Sequence, residues 1–265
     1  MVDFERKECY DVEDFRKIIE LLRSPGGCPW DREQDHKSIR RNLLEEACEV
    51  CEAIDEESVP HLREELGDLM MQVIFHARIE EEKGNFDLND VADEACKKLI
   101  LRHPHVFGNV QVSGTGEVLD NWEAIKRVEK SQDTVTDTLE SVAKTLPALW
   151  RAEKIQKKAA KSGFDWKSVS DALAKLREEV QELENAVLSG VEADIFEELG
   201  DVLFAAVKVG RFTESDPEMA LHNTSNKFIS RFKSVEDAAL ASGRELNDLS
   251  LDEMIALYNR AKSQK

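Results

Sequence analysis

The sequence predicts an all-α protein, and three observations carry that prediction. Glycine and proline number only 12 and 6 in 265 residues and aromatics make up 6%, a composition of long helices joined by few turns. Apolar residues recur at helical spacing, and no useful length alternates apolar and polar with a period of two. Hydrophobic residues reach 41%, enough for a packed core, which argues against a disordered acidic chain.

The elements follow in order. Asp11 to Leu22 places Phe15, Ile18, Ile19 and Leu22 on one helical face. Ser24-Pro25-Gly26-Gly27-Cys28-Pro29 reads as a loop. A second helix runs from about Ser38 to Glu56, and Pro60 is suited to open a third, from about His61 to Lys83, that stops at Gly84-Asn85. More helix covers about Leu88 to Leu101, followed by His103-Pro104 and a glycine-rich loop up to Gly116. Ser131 to Thr138 is polar and poor in hydrophobics, so the domains are predicted as 1–130 and 139–265 with a linker at 131–138. Beyond it, helices break at Ser162-Gly163, Ser189-Gly190, Ser215-Asp216-Pro217 and Ser242-Gly243.

The halves repeat each other. Glu45-Glu46-Ala47-Cys48-Glu49 recurs as Glu178-Glu179-Val180-Gln181-Glu182, and Glu64-Glu65-Leu66-Gly67-Asp68 as Glu197-Glu198-Leu199-Gly200-Asp201, both at an offset of 133 residues (45 to 178, 64 to 197). Lys98 and Arg102 match Lys227 and Arg231, and Trp122 and Lys126 match Tyr258 and Lys262, at slightly different offsets. A tandem helical unit is the economical explanation.

Charge narrows the function. Thirty-six basic against 55 acidic side chains leave a formal charge of −19, which argues against a nucleic-acid binder. No apolar run is long enough to span a bilayer, and the start of the chain has no signal-peptide core. Five cysteines, an odd count, make a poor disulfide framework. A reduced cytoplasm is expected, with Cys48 and Cys51 as buried or half-buried helix residues.

The acids are placed in a pattern. Glu179 and Glu182 share one helix face, as do Glu198 and Asp201, and the break at Ser189-Gly190 makes the two helices antiparallel neighbours. Four carboxylates in one cleft repel, by roughly 4 kcal/mol per pair at 4 Å and an effective dielectric of 20, so either their pKa values rise or a cation neutralises them. All-oxygen ligands select Mg²⁺ or Mn²⁺. Gly67 and Gly200, costly inside a helix, suggest close helix approach beside the acids. The apolar neighbours Leu66, Leu69, Met70, Leu199, Val202 and Leu203 suggest that the acids border a core-facing stripe. A di-iron bundle would want Glu-x-x-His; here the third residue after each glutamate is acidic, and His61 and His76 are read as ordinary helix residues. Lys227 and Arg231, four apart, could hold phosphate oxygens, as could Lys175 one turn before Glu179; Tyr258 and Lys262 offer a ring and another cation.

Gly27-Cys28-Pro29-Trp30-Asp31, the doubled EExxE…ExxD motif, His103-Pro104-His105-Val106-Phe107, Trp122-Glu123-Ala124-Ile125-Lys126 and Gly163-Phe164-Asp165-Trp166 together resemble the MazG family of nucleoside triphosphate pyrophosphohydrolases, over nearly the whole chain and in its tandem form. The resemblance implies a dimeric, Mg²⁺-dependent enzyme that splits nucleoside triphosphates between the α and β phosphates, with a broad base range and a housekeeping role in nucleotide pools. By motif it implies metal ligands at Glu179, Glu182, Glu198 and Asp201, and triphosphate contacts at Lys175, Lys227 and Arg231 with Tyr258 as the aromatic. The first copy keeps Glu46, Glu49, Glu65 and Asp68 as metal ligands but has Asn42 where the second has Lys175, consistent with a weaker first site. Asp35 and Cys48 depart from the family pattern without touching the acids. Glu178 is the candidate to take a proton from the attacking water, with Glu197 its competitor. The rival class is a non-catalytic acidic module that docks a basic partner or senses nucleotides.

Overall fold

The computed structural model describes residues 4–263, and among them every regular element is a helix. They fall into two compact units that meet at Lys126 and Arg127. The first contains α1 (Val12–Arg23), α2 (Pro29–Glu33), α3 (Arg40–Asp55), α4 (Val59–Glu82), α5 (Leu88–Arg102), α6 (Pro104–Phe107) and most of α7 (Thr115–Glu129). The second contains α8 (Val135–Glu140), α9 (Ala148–Lys161), α10 (Val169–Ser189), α11 (Glu192–Phe212), α12 (Pro217–Ala241) and α13 (Leu251–Ser263).

The ends of these helices are written in local chemistry. Asp11 accepts from the Asp14 amide and Asp14 returns the bond, a capping box that starts α1. Ser58 caps α4, with Pro60 in its first turn. Gly190 closes α10 in the left-handed conformation at φ 71°. The matching position of the first copy is Glu57, at φ 53°, so the same turn is made there without glycine. Two stretches expected to be irregular carry helix. Pro29 opens α2, and within 131–138 Thr134 and Asp137 form a capping box that begins α8, with Gln132 and Thr138 buried.

In each unit the dominant packing is a hairpin, α3 on α4 and α10 on α11. In the first unit α1 packs on α4, and Ile19, Ile39, Ile74, Phe75 and Ile79 form the core between them. His36 is held against His76 of α4 by stacked rings 5.0 Å apart and donates through Nε2 to Glu80 Oε1 over 2.5 Å, which ties the approach to α3 onto α4. In the second unit α9 packs on α11, α12 on α13, and the buried side chains Ala172, Ala186, Ala205, Val207, Val235 and Ala239 are small.

Three expectations about packing are corrected. A Cβ placed on Gly67 or Gly200 would meet nothing within 4 Å, so no close helix approach within the described chain explains either glycine. Leu66, Met70, Leu199 and Leu203 are exposed to 48%, 42%, 47% and 48%, so these four lie outside their own unit's core, while Leu69 and Val202 are half-buried. Cys48 and Cys51 are exposed rather than buried, and all five cysteines are free. Among the described residues no helix is long and apolar enough to cross a membrane.

Candidate metal and nucleotide site

A helix places residues three apart on one face, and the hairpin turns bring two such faces together. Glu46 and Glu49 of α3 meet Glu65 of α4; Glu179 and Glu182 of α10 meet Glu198 of α11. In each trio one carboxylate oxygen per residue lies within 4.8 Å of the others. Carboxylate oxygens gathered this closely could be drawn onto one hard divalent ion by rotations of their side chains. Asp68 and Asp201 lie outside these trios but near enough for their charges to act on Glu46 and Glu198.

The electrostatics are those of crowded acids. Burial, then the charges of Asp68 and Glu49, raises Glu46 above the ordinary glutamate value, and burial followed by the Glu49 charge raises Glu65. In the second trio a hydrogen bond with Glu179 raises Glu182, while burial and then Asp201 raise Glu198. Glu198 Oε2 is buried with no hydrogen-bond partner, and a lone pair so placed suits a cation. The donor chemistry and this orphaned oxygen both fit a hard divalent ion at the second trio.

A stability prediction follows from these raised values. A carboxylate whose folded pKa lies above its unfolded one favours the fold at low pH and loses that contribution as pH rises from about 4.5 through the folded value. Glu198→Gln cannot ionise, so thermal melts without divalent ions should show a higher Tm than the parent at pH 7 and an equal one at pH 4. A lower Tm at pH 7 would contradict the crowding.

The cations are arranged differently in the two copies. Lys175 Nζ lies 2.6 Å from Glu178 and 3.0 Å from Glu179, and these bonds raise its pKa further. Asn42 holds that place in the first copy. There His61, on α4, faces Glu65 Oε1 at 3.1 Å through Nε2, and Glu56 Oε2 at 3.0 Å through Nδ1. Sequence reasoning looked for Glu-x-x-His and passed over His61, which precedes Glu65 by four residues; the signal was an i, i+4 pair read in the opposite direction.

Of the remaining expected residues, Lys227 and Arg231 stand on α12, Tyr258 and Lys262 on α13, and Glu197 on α11. Lys227, Ser230, Arg231, Ser234 and Ala261 line a cavity of about 190 Å³. The Arg231 guanidinium lies over the Tyr258 ring at 5.9 Å, and Tyr258 tilts against Phe228 at 5.7 Å. The first copy repeats the pair, with Arg102 over Trp122 at 5.8 Å and His103 edge-on to the same ring at 5.1 Å. Glu197 and Lys262 are exposed, Lys262 in the last turn of α13.

Comparison with known proteins gives a consistent picture. The MazG nucleotide pyrophosphohydrolase domain matches twice, at residues 34–107 and 167–236, and each match contains one acidic trio. Nucleoside triphosphate pyrophosphohydrolase of Escherichia coli K12 is 40% identical over 257 residues, covering 96% of this chain and 98% of that protein. The Thermotoga maritima nucleoside triphosphate pyrophosphohydrolase/pyrophosphatase MazG is 40% identical over 250 residues, 94% of this chain and 95% of that protein. The uncharacterized protein YabN of Bacillus subtilis is 47% identical over 254 residues, but the chain spans only 52% of its length. Two domain matches on two helical hairpins, each with its acids converging, show that the chain belongs to the MazG nucleotide pyrophosphohydrolase family.

Proposed function

We propose that the chain hydrolyses nucleoside triphosphates between the α and β phosphates, releasing pyrophosphate and a nucleoside monophosphate, with Mg²⁺ or Mn²⁺ held at the second hairpin. The observation that carries this is the convergence of Glu179, Glu182 and Glu198 with Lys175 at their edge, in a chain whose full-length relatives bear that activity in their names. When bound, the divalent ion supplies neutralisation of phosphate oxygens and acidifies water.

The chain's own residues do the rest. Glu179, Glu182, Glu198 and Asp201 hold the ion. Lys175, Lys227, Arg231 and Lys262 hold the phosphate oxygens that the ion does not reach, arginine by its two-pronged donor geometry. Tyr258 offers its ring to the base, an interaction that tolerates any base because each has a π face; a broad substrate range and a housekeeping role fit that tolerance. Glu178 and Glu197 compete as acceptor of the water proton. Glu178 is engaged by Lys175 at 2.6 Å, so it becomes available once Lys175 turns to a phosphate, whereas Glu197 needs no such exchange. The exposed apolar side chains on each hairpin, Leu66 with Met70 on the first and Leu199 with Leu203 on the second, favour burial against a second copy, in a homodimer.

The test is pyrophosphate release from mixed nucleoside triphosphates with Mg²⁺ and with excess chelator. Release that needs the ion supports the assignment. Binding of basic partners that weakens with salt, without any turnover, would instead mark an acidic docking module.

A further inference from the structure

The two hairpins occupy the same register yet offer a cation different donors. On the second, the positions matching Glu56 and His61 are Ser189 and Asp194, so its trio is surrounded by oxygen and by the ammonium of Lys175. On the first, an imidazole on α4 reaches Glu65 of the trio and a carboxylate holds its far nitrogen, at 3.1 Å and 3.0 Å. Histidines that ligate metals have this build: the outer nitrogen donates to a carboxylate, which fixes the ring and makes the inner nitrogen a better ligand. Glu56 is placed for it by the α3–α4 turn, whose left-handed residue is Glu57, and His61 by standing one helical turn before Glu65.

We propose that the first hairpin is a mixed imidazole–carboxylate site, in which His61 Nε2 joins Glu46, Glu49 and Glu65 around a borderline divalent cation such as Mn²⁺, Co²⁺ or Zn²⁺, while the second hairpin remains an all-oxygen site. This rests on the first trio being a cation site of the family, as in the function proposed above. Nitrogen ligation shifts preference from Mg²⁺ toward transition metals. His61 Nε2 faces Glu65 Oε1 at 3.1 Å; on binding, any proton on Nε2 leaves to solvent and the nitrogen lone pair turns to the ion. The structural role left to Glu56 is orientation of the ring, and it touches no ion.

The experiment uses the full chain carrying Glu179→Gln and Glu198→Gln, so that only the first hairpin binds tightly. Mn²⁺ is the probe because the exposed thiols of Cys48 and Cys51 compete poorly for it. Pulsed electron paramagnetic resonance of the bound ion should show coupling to one directly bonded ¹⁴N. Adding His61→Ala should erase that coupling and weaken Mn²⁺ binding; adding His61→Asp, the residue type of position 194, should erase the coupling with Mn²⁺ still bound. Glu56→Gln should keep the coupling and weaken binding by about tenfold. Bound Mn²⁺ without nitrogen coupling, coupling that survives His61→Ala, or no Mn²⁺ bound at all would each overturn the proposal. If the double variant does not fold, the native chain loaded with two Mn²⁺ answers the same question, since His61→Asp should then remove nitrogen coupling from half of the ions. Pyrophosphate release by the native chain with Mg²⁺ reads the second hairpin separately, so failure of the hydrolase assignment and failure of this one are told apart.

Discussion

Glu179→Gln should lower pyrophosphate release by at least about a thousandfold while leaving helical content intact. The expectation rests on where this carboxylate sits. It is the most buried of its trio, at 8% exposure, it holds Lys175 at 3.0 Å, its hydrogen bond raises the pKa of Glu182, and its charge adds to burial and Asp201 in raising that of Glu198. Glutamine keeps the shape and removes the charge, so the fold has no reason to fail. A divalent ion stabilises developing phosphate charge by several kcal/mol, and a thousandfold corresponds to about 4 kcal/mol. Asp201→Asn should act in the same direction through Glu198. Release within tenfold of the parent, measured with saturating Mg²⁺ on purified protein, would remove Glu179 from the site.

The second large effect is an asymmetry. Glu46→Gln or Asp68→Asn should cost less than about tenfold in the same assay, although these residues match Glu179 and Asp201 in the repeat. The acids of the two copies are arranged alike; what differs is the cation. Lys175 stands on α10 with two carboxylate partners, and Asn42 at the matching place carries no charge to offer a phosphate. His61 faces Glu65 directly, which engages an oxygen that Glu198, on the other hairpin, keeps unpartnered. Equal losses from both copies would show that the lysine is dispensable and that both hairpins turn over substrate.

Much of this was legible in the chain. Helix breaks at Ser162-Gly163, Ser189-Gly190 and Ser242-Gly243 are observed with glycine in the left-handed conformation, because those backbone angles favour a residue without Cβ. The unchanged offset between the acidic motifs implied equal loops, and both hairpins bring matching acids together. Other inferences failed for a common reason. The roles given to Gly67, Gly200, Leu66 and Leu199 assumed that a costly or apolar residue must be explained by packing inside its own unit, and the chain alone leaves those surfaces open.

By itself, then, the sequence determined the helices, their order and the face each acid occupies, since capping and the 3.6-residue repeat act within a few residues along the backbone. Tertiary structure decided what stands opposite those faces. That Glu65 of α4 meets Glu46 and Glu49 of α3, and Glu198 of α11 meets Glu179 and Glu182 of α10, depends on the turn between two helices and the rotation of one against the other, and such distances across a hairpin are set by packing rather than by spacing along the chain.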